Sequence, residues 1–340
     1  MTLEQRLRAL IIDKAPESRL GRWFFNWLAE PYIAGHSLED GIATVEKEYA
    51  KYGRLASLDV LGEGARTTEQ AERYYEAYWT LISIIKRKGM EQYASLSLKS
   101  SAICAVAEDG YTLEESESKL VERLESLVSF AEESGVSVTL DMEDHHWTER
   151  TLRYAKDLWL QGKRNVGIVL QSRLNRTETD IEELFEETYP IPRQAMRIRA
   201  CIGIYQVPEE LGTNERDKAK VNLVRQVYQL FNAGAYVEIA THDPEFVRRI
   251  RRMIADKEFP SGRYEFQFLR GVQNGYALEK KLFEAGALVR YYAPVEITKG
   301  DGIQYMRRRL KKNPDFFLHG MRNTIQRYIP IVGKIIAAYI

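Results

Sequence analysis

Charged side chains inside apolar, β-rich runs are the first residues of this 340-residue chain to suggest chemistry. Lys99 stands in YASLSLKSSAI, Asp141 in VSVTLDM and Arg199 in MRIRACIGI. A buried charge is costly unless it is paired or meets an ionic ligand. Three of them on three strands therefore imply either a mutual ion-pair network or a site for a charged molecule. Arg307, Arg308 and Arg309 add guanidinium groups, the side chains best shaped to grip a planar carboxylate or phosphate. Consecutive helical residues diverge by about 100°, so the run serves a site only if its helix crosses that site. Otherwise it is a solvated face. His242, at the end of YVEIATH, has no serine or cysteine nucleophile beside it, and no GxSxG elbow exists. The stretch Asp141–His146 (DMEDHH) mixes carboxylates with imidazoles, but a His pair beside a helix start reads as a loop end before it reads as a metal site. Cys104 and Cys201 lack CxxC spacing, so no zinc site or disulfide framework is expected.

The elements that must position these residues alternate. Eight β-rich runs are predicted at Arg54–Leu61, Tyr93–Ile103, Val136–Met142, Val166–Gln171, Met196–Ile204, Tyr236–Ala240, Tyr264–Leu269 and Leu288–Ala293. Helix-period segments follow each of them, from Thr68–Lys88 to Gly302–Lys311. Strict alternation with short connections predicts parallel strands and right-handed crossovers. Eight such units closed on themselves form a (β/α)8 TIM-like barrel. An open doubly wound sheet is the competing reading; eight units exceed its usual count, and no GxGxxG opens the first unit. The expected division is an N-terminal helical segment (1–53), a barrel (54–312) and a C-terminal helical tail (313–340). In a barrel the site lies where the strands end, which is where Asp59, Lys99, Asp141, Gln171, Arg199, Thr241 and Tyr292 fall.

Lysine plus arginine and aspartate plus glutamate are each 49, so there is no basic excess of the kind nucleic-acid binding leaves. No apolar run approaches the roughly 18 residues of a membrane span, and Met1–Lys14 lacks a signal-peptide core, so the cytoplasm is the expected compartment. The apolar IPIVGKIIAAYI near the end suits a helix packed on the barrel, or peripheral contact with the inner membrane face.

From about Gly35 to Lys312 the chain resembles the proline dehydrogenase family, in its FAD-dependent, monofunctional bacterial and archaeal form. HSLEDGI with ASLDVLGE resembles the family's first unit. SLSLKSS, TLDMED and GIVLQS carry its strand-two lysine, strand-three aspartate and strand-four glutamine as Lys99, Asp141 and Gln171. RIRACIGIY resembles RLVKGAY, IATHD resembles ATHN, YEFQFLRGV resembles the seventh strand, and YYAPV with the arginine run resembles the last unit.

The resemblance implies a distorted (β/α)8 barrel that oxidises L-proline to 1-pyrroline-5-carboxylate by hydride transfer to FAD, with electrons passed to a quinone-type acceptor. It implies Asp141 and Arg199 as catalytic residues, with Arg199 beside the flavin N5 edge. It implies FAD held by Met142, Gln171, Arg199, Ile202, Gly203, Ile204, Thr241 and His242. It implies substrate held by Lys99, Leu269, Tyr292, Arg307 and Arg308, and pyrroline-carboxylate oxidation by a separate dehydrogenase. Four residues depart from the family pattern: Ile202 replaces its lysine, Ile204 its alanine, Asp243 its asparagine and Lys311 its glutamate. They leave open another cyclic or secondary amino acid, such as hydroxyproline, as substrate. A flavin-free, carboxylate-binding barrel is the reading from a different class.

Overall fold

Alternation within the strands decides the architecture. A computed structural model of the chain describes residues 17–105, 113–193, 196–298 and 300–312, together with Ile12. The eight strands are β1 (Leu55–Val60), β2 (Ala94–Leu98), β3 (Val138–Leu140), β4 (Val166–Gln171), β5 (Arg197–Cys201), β6 (Tyr236–Ala240), β7 (Tyr264–Leu269) and β8 (Val289–Val295). Each pairs in parallel with the next, and β1 pairs with β8, so the sheet closes into the expected barrel. Ten helices are described: α1 (Arg19–Ala29), α2 (Leu38–Tyr52), α3 (Thr68–Lys88), α4 (Leu113–Glu133), α5 (Thr148–Leu160), α6 (Thr177–Glu187), α7 (Arg216–Ala233), α8 (Pro244–Asp256), α9 (Gln273–Glu284) and α10 (Asp301–Lys312). The predicted helix over Leu3–Lys14 and the tail over 313–340 lie outside the described residues.

One side of each strand is apolar. Leu58, Leu96, Leu140, Ile168, Ile198, Ile239, Phe266 and Ala293 form a single core with helix residues such as Leu81, Leu127, Trp159 and Leu230. Burying them removes apolar surface from water at about 25 cal/mol per Å2 and fixes the helices around the cylinder. Most alternate positions are polar; many bond to a neighbouring strand, and Arg199 crosses the interior. Arg199 on β5 reaches Ser97 on β2 at 3.0 Å and Asp141 beyond β3 at 2.8 Å.

Three strands, β2, β3 and β5, stop two or more residues short of their predicted runs at the mouth, while β8 continues two residues past its own, to Val295. β2 stops at Leu98, and Lys99 opens a short 3-10 turn, Ser100–Ala102. β3 stops at Leu140 and β5 at Cys201. Two contacts end them: the Ser101 amide donates to the Glu143 side chain, 42 residues away, instead of a strand neighbour, and Gly203 takes φ 89°, a left-handed setting that ends the extended run. Helix ends follow their caps. Ser37 accepts from the Asp40 amide, and Gly53 closes α2 at φ 64°.

A second apolar cluster lies over the strand ends. Phe25, Leu28 and Tyr32, in and just after α1, pack with Ile303, Met306 and Leu310 of α10, with Leu61 beyond β1, and with Leu269 and Val272 at the end of β7. The arginine-bearing helix therefore covers the barrel mouth instead of lining the outer ring.

Deeper in the barrel, Arg290 binds both oxygens of Glu265 at 2.6 and 3.1 Å, and Arg197 binds Glu238 Oε1 at 3.1 and 2.7 Å. Gln267 donates to both glutamates at 2.7 Å. Burial alone would raise the Glu265 carboxyl, but Arg290 and Arg197 outweigh it and hold it down at about 2. Its pairing therefore contributes in full above its ordinary 4.5 and is lost as pH falls toward 2. We predict that Arg290→Met, which leaves Glu265 buried and short of its partner, costs about 3–5 kcal/mol in urea denaturation at neutral pH. A cost below about 1 kcal/mol would show that this ionic layer does not hold the barrel together.

Candidate active site

At the mouth, four strand ends converge on one carboxylate. Asp141 Oδ1 accepts from Arg199 Nη1 at 2.8 Å, and Oδ2 accepts from the Tyr292 hydroxyl at 2.5 Å. The Lys99 ammonium lies 3.6 Å from Oδ2 and donates to the Tyr292 hydroxyl at 3.2 Å. It also donates to Asp59 Oδ1, at the end of β1. Arg199 Nε faces Glu238 Oε2 at 3.4 Å, which joins the mouth to the deeper layer. The Tyr292 ring lies 5.8 Å from Lys99 Nζ and 5.6 Å from the Arg199 guanidinium, so both cations face its π cloud. Burial pushes the Asp59 carboxyl up to about 6 against the pull of Lys99, with Asp141 adding to the rise. Burial and the neighbouring carboxylates of Asp141 and Asp59 hold the Tyr292 hydroxyl well above its ordinary value, so it serves as a neutral donor.

The predicted residues on the other side of the mouth form a second group. Gln171 donates to the Met142 carbonyl at 3.3 Å and to the Glu143 carbonyl at 3.1 Å. A Cβ on Gly203 would come within 3.1 Å of the Gln171 side chain, so the left-handed glycine lets the β5 loop lie directly on it. Arg173 donates to the Gly203 carbonyl at 3.0 Å and to the Thr213 carbonyl at 3.3 Å. Ile202 packs on the core, whereas Ile204 is 42% exposed and does not narrow the mouth. Thr241 is buried, and its hydroxyl accepts from the Asp243 amide at 3.2 Å. Asp243 is itself the N-cap of α8 and pairs with Lys220 at 2.8 Å, so its charge is already balanced.

His242 deserves a proton count. Its Nε2 accepts from the Leu269 amide at 2.9 Å, which places the ring proton on Nδ1. Nδ1 is buried and has no acceptor among the described residues. Such a donor costs about 1–3 kcal/mol unless an acceptor from outside the chain meets it. Burial, and then the charge of Arg309, lower the imidazole to about 4, so it is neutral at pH 7.

The Arg309 charge thus reaches the end of β6; its guanidinium lies 5.1 Å from the Tyr305 ring centroid. Arg307 is half-buried on α10, and the Arg308 side chain lies outside the described residues. Lys311 lies in the same helix with its side chain likewise outside them. Sequence reasoning left Asp59 as a strand-end residue only and passed over Glu238, Glu265 and Arg290. All four sit at alternate strand positions beside apolar neighbours, the signal that singled out Lys99 and Arg199. Glu143 was read as part of a loop; it is buried, bonded to Ser101, and pushed up to about 7 by burial. No cluster of potential metal ligands occurs among the described residues.

A barrel whose mouth gathers anion-binding cations above a polar floor fits an enzyme acting on a small charged molecule. The proline dehydrogenase family model matches residues 42–200 and 215–316, and the chain belongs to that family of oxidoreductases. It is 27% identical over 303 residues to proline dehydrogenase 1 of Bacillus subtilis subsp. natto, covering 88% of this chain and 89% of that protein. It is 29% identical over 321 residues to proline dehydrogenase of Deinococcus radiodurans, covering 93% and 97%. Among solved structures, proline utilization A from Bdellovibrio bacteriovorus, inactivated by N-propargylglycine, shares the fold with a TM-score of 0.78 at 19% identity. That match covers 94% of this chain but 38% of the larger protein. No described helix is long and apolar enough to cross a membrane.

We predict that His242 titrates near 4 instead of near its ordinary 6.5, as read by NMR of the imidazole across acidic pH. A midpoint near 6.5 would place the ring in solvent and remove it from the site.

Proposed function

We propose that the protein oxidises L-proline to 1-pyrroline-5-carboxylate with bound FAD, and that the convergence of Lys99, Arg199 and Tyr292 on Asp141 is the floor on which the amino acid sits. The observation that carries this reading is that network, with α10 packed across the mouth above it.

The chain fits a flavin. Gly203 seats the β5 loop directly on Gln171, where a Cβ would crowd, and the buried His242 Nδ1–H offers a donor for an acceptor that the described residues do not supply. We assign Met142, Gln171, Ile202, Gly203, Ile204, Thr241 and His242 to holding the FAD, with Arg199 at its reactive edge. Arg173, fixed on two carbonyls, stands ready for its phosphates. When bound, the flavin supplies a hydride acceptor.

The chain's own residues do the rest. The cations of α10 hold the carboxylate: Arg309 joins Arg307 and Arg308 in that role. Lys99 and Tyr292 orient the ring from below, and Leu269 lends it an apolar wall. Arg199, pinned by Asp141 and Ser97, presents a fixed positive charge where negative charge develops, so no reorganisation is needed during the reaction. The leucine and aromatic residues of α1 and α10 exclude water from the floor. Asp243 is consistent with this reading because its charge is spent on a helix cap and on Lys220. The electrons leave to a quinone-type acceptor, and a separate dehydrogenase takes the pyrroline product. We place the protein in the cytoplasm, in peripheral contact with the membrane face that holds the acceptor.

The purified protein is expected to be yellow, and L-proline is expected to bleach its flavin band without oxygen; a coloured protein left unbleached by high L-proline would sink the substrate assignment. With proline, Arg309→Met is expected to raise the apparent KM about 10- to 100-fold, the loss of one charged hydrogen bond, with the flavin spectrum unchanged. An unmoved KM would place Arg309 outside the carboxylate site.

A further inference from the structure

Oxidation of an amino acid at the carbon beside its nitrogen needs the nitrogen lone pair, because a protonated amine cannot help expel a hydride. Free amino acids are zwitterions, so the site must take a proton away. Among the described residues, one carboxylate at the mouth lies behind the cationic floor with no assigned task. Asp59 is 1% exposed at its side chain, whereas Lys99, bonded to it, is 13% exposed and lies between it and the mouth.

We propose that Asp59 accepts the amine proton of the substrate through Lys99, an inference that rests on the amino-acid oxidation proposed above and names its proton acceptor. Lys99 Nζ passes one proton to Asp59 Oδ1 along the hydrogen bond already in place and takes one from the substrate ammonium. One Nζ–H bond and one substrate N–H bond break; one Asp59 O–H bond and one new Nζ–H bond form. No electrons are transferred. Lys99 ends as the ammonium it began as, Asp59 ends neutral, and the substrate nitrogen keeps its lone pair.

The surroundings favour this direction. Lys99, Arg199 and the arginines of α10 are cations around the bound ammonium, and like charge favours its neutral form. The titratable groups facing Asp59 are Lys99 from the end of β2, Asp141 from the end of β3, Tyr292 from β8 and Tyr78 from α3. Asp141 is occupied by Arg199 and Tyr292, and both tyrosines are held protonated by burial. Asp59, raised to about 6 by burial, is a base at neutral pH that gains a proton readily. Its active form is the carboxylate, so the rate of proline-driven bleaching falls as pH drops through that value.

The test is anaerobic bleaching of the holoenzyme by L-proline across pH, for the parent, Asp59→Asn and Asp59→Glu. Asp59→Asn is expected to slow bleaching roughly 100-fold or more at neutral pH and to lose the acid limb, its rate climbing instead toward the ionisation of the free amine. Asp59→Glu is expected to recover much of the rate with the acid limb displaced. An independent readout is the infrared spectrum of the oxidised protein without substrate, in which a protonated-carboxyl band should grow as pH falls through about 6 and be missing in Asp59→Asn. A merely structural Asp59 would lower flavin content or stability and leave the acid limb where it was. An acid limb in Asp59→Asn that coincides with the parent's would overturn the inference and leave the proline assignment standing. If Asp59→Asn does not fold, an unmoved limb in Asp59→Glu has the same force. A parent protein that L-proline fails to bleach would overturn the substrate assignment and the inference with it.

Discussion

Charge neutrality inside a closed cylinder is the constraint on which the structure depends. The barrel interior holds four anions, Asp59, Asp141, Glu238 and Glu265, and four cations, Lys99, Arg197, Arg199 and Arg290. Desolvating any one of them alone would cost several kcal/mol, so each must find its partner. The pairs interlock. Glu238 touches both Arg197 and Arg199, and Asp141 touches Arg199 while facing Lys99. The deeper layer is rigid because every oxygen of Glu238 and Glu265 is engaged. The upper layer sits on that foundation, open on the side where a ligand enters.

That division separates the groups at the mouth from those of the deeper layer. Glu265 is held ionised by two arginines, whereas Asp59 has a single ammonium and a second carboxylate nearby, so burial wins and its proton affinity rises. The same carboxyl chemistry gives a structural anion at one depth and a proton acceptor at another. Position along the strands sets the difference: Asp59 pairs with Pro294 at the far end of β8, whereas Glu265 precedes Gln267, which pairs with Arg290 near its start.

The barrel was legible because eight β-rich runs alternate with helix-period segments, and the charged positions within those runs carry a further signal. YVEIA, YEFQFL and VRYYAPV each place one charged residue among apolar ones. Reading only the mouth ends took Lys99, Asp141 and Arg199 and missed Glu238, Glu265 and Arg290, although their pattern is the same. Strand ends were harder. Lys99 and Asp141 leave the sheet because loop hydrogen bonds, such as Ser101 to Glu143, depend on partners 42 residues away. The orientation of the arginine run was also not readable locally. Arg307, Arg308 and Arg309 are equivalent in composition; packing of Ile303, Met306 and Leu310 against α1 fixes the helix, and the Arg309 charge helps lower the His242 imidazole. Asp243 stood out in the sequence only as a departure from the family's asparagine; the structure makes it the N-cap of α8, ahead of Pro244, and pairs it with Lys220.

The cover over the mouth is held at both of its approaches. Glu296, just beyond β8, accepts from the Gly302 amide at 2.6 Å with one oxygen and meets His36 at 2.6 Å with the other. His36 also meets Glu30 at the end of α1, at 3.0 Å. Arg270, beyond β7, donates to the carbonyls of Pro31 and Ile33 at 2.9 and 2.5 Å. The start of α10 and the segment after α1 are therefore anchored to β7 and β8, the strands that carry Leu269 and Tyr292. The first turn of α10 is fixed by Glu296, and its later turns, which carry the arginines, are held by Met306 and Leu310 buried against α1. Anchoring the cover to the strand that holds Tyr292 links the grip on a carboxylate from above to the orientation of the ring from below.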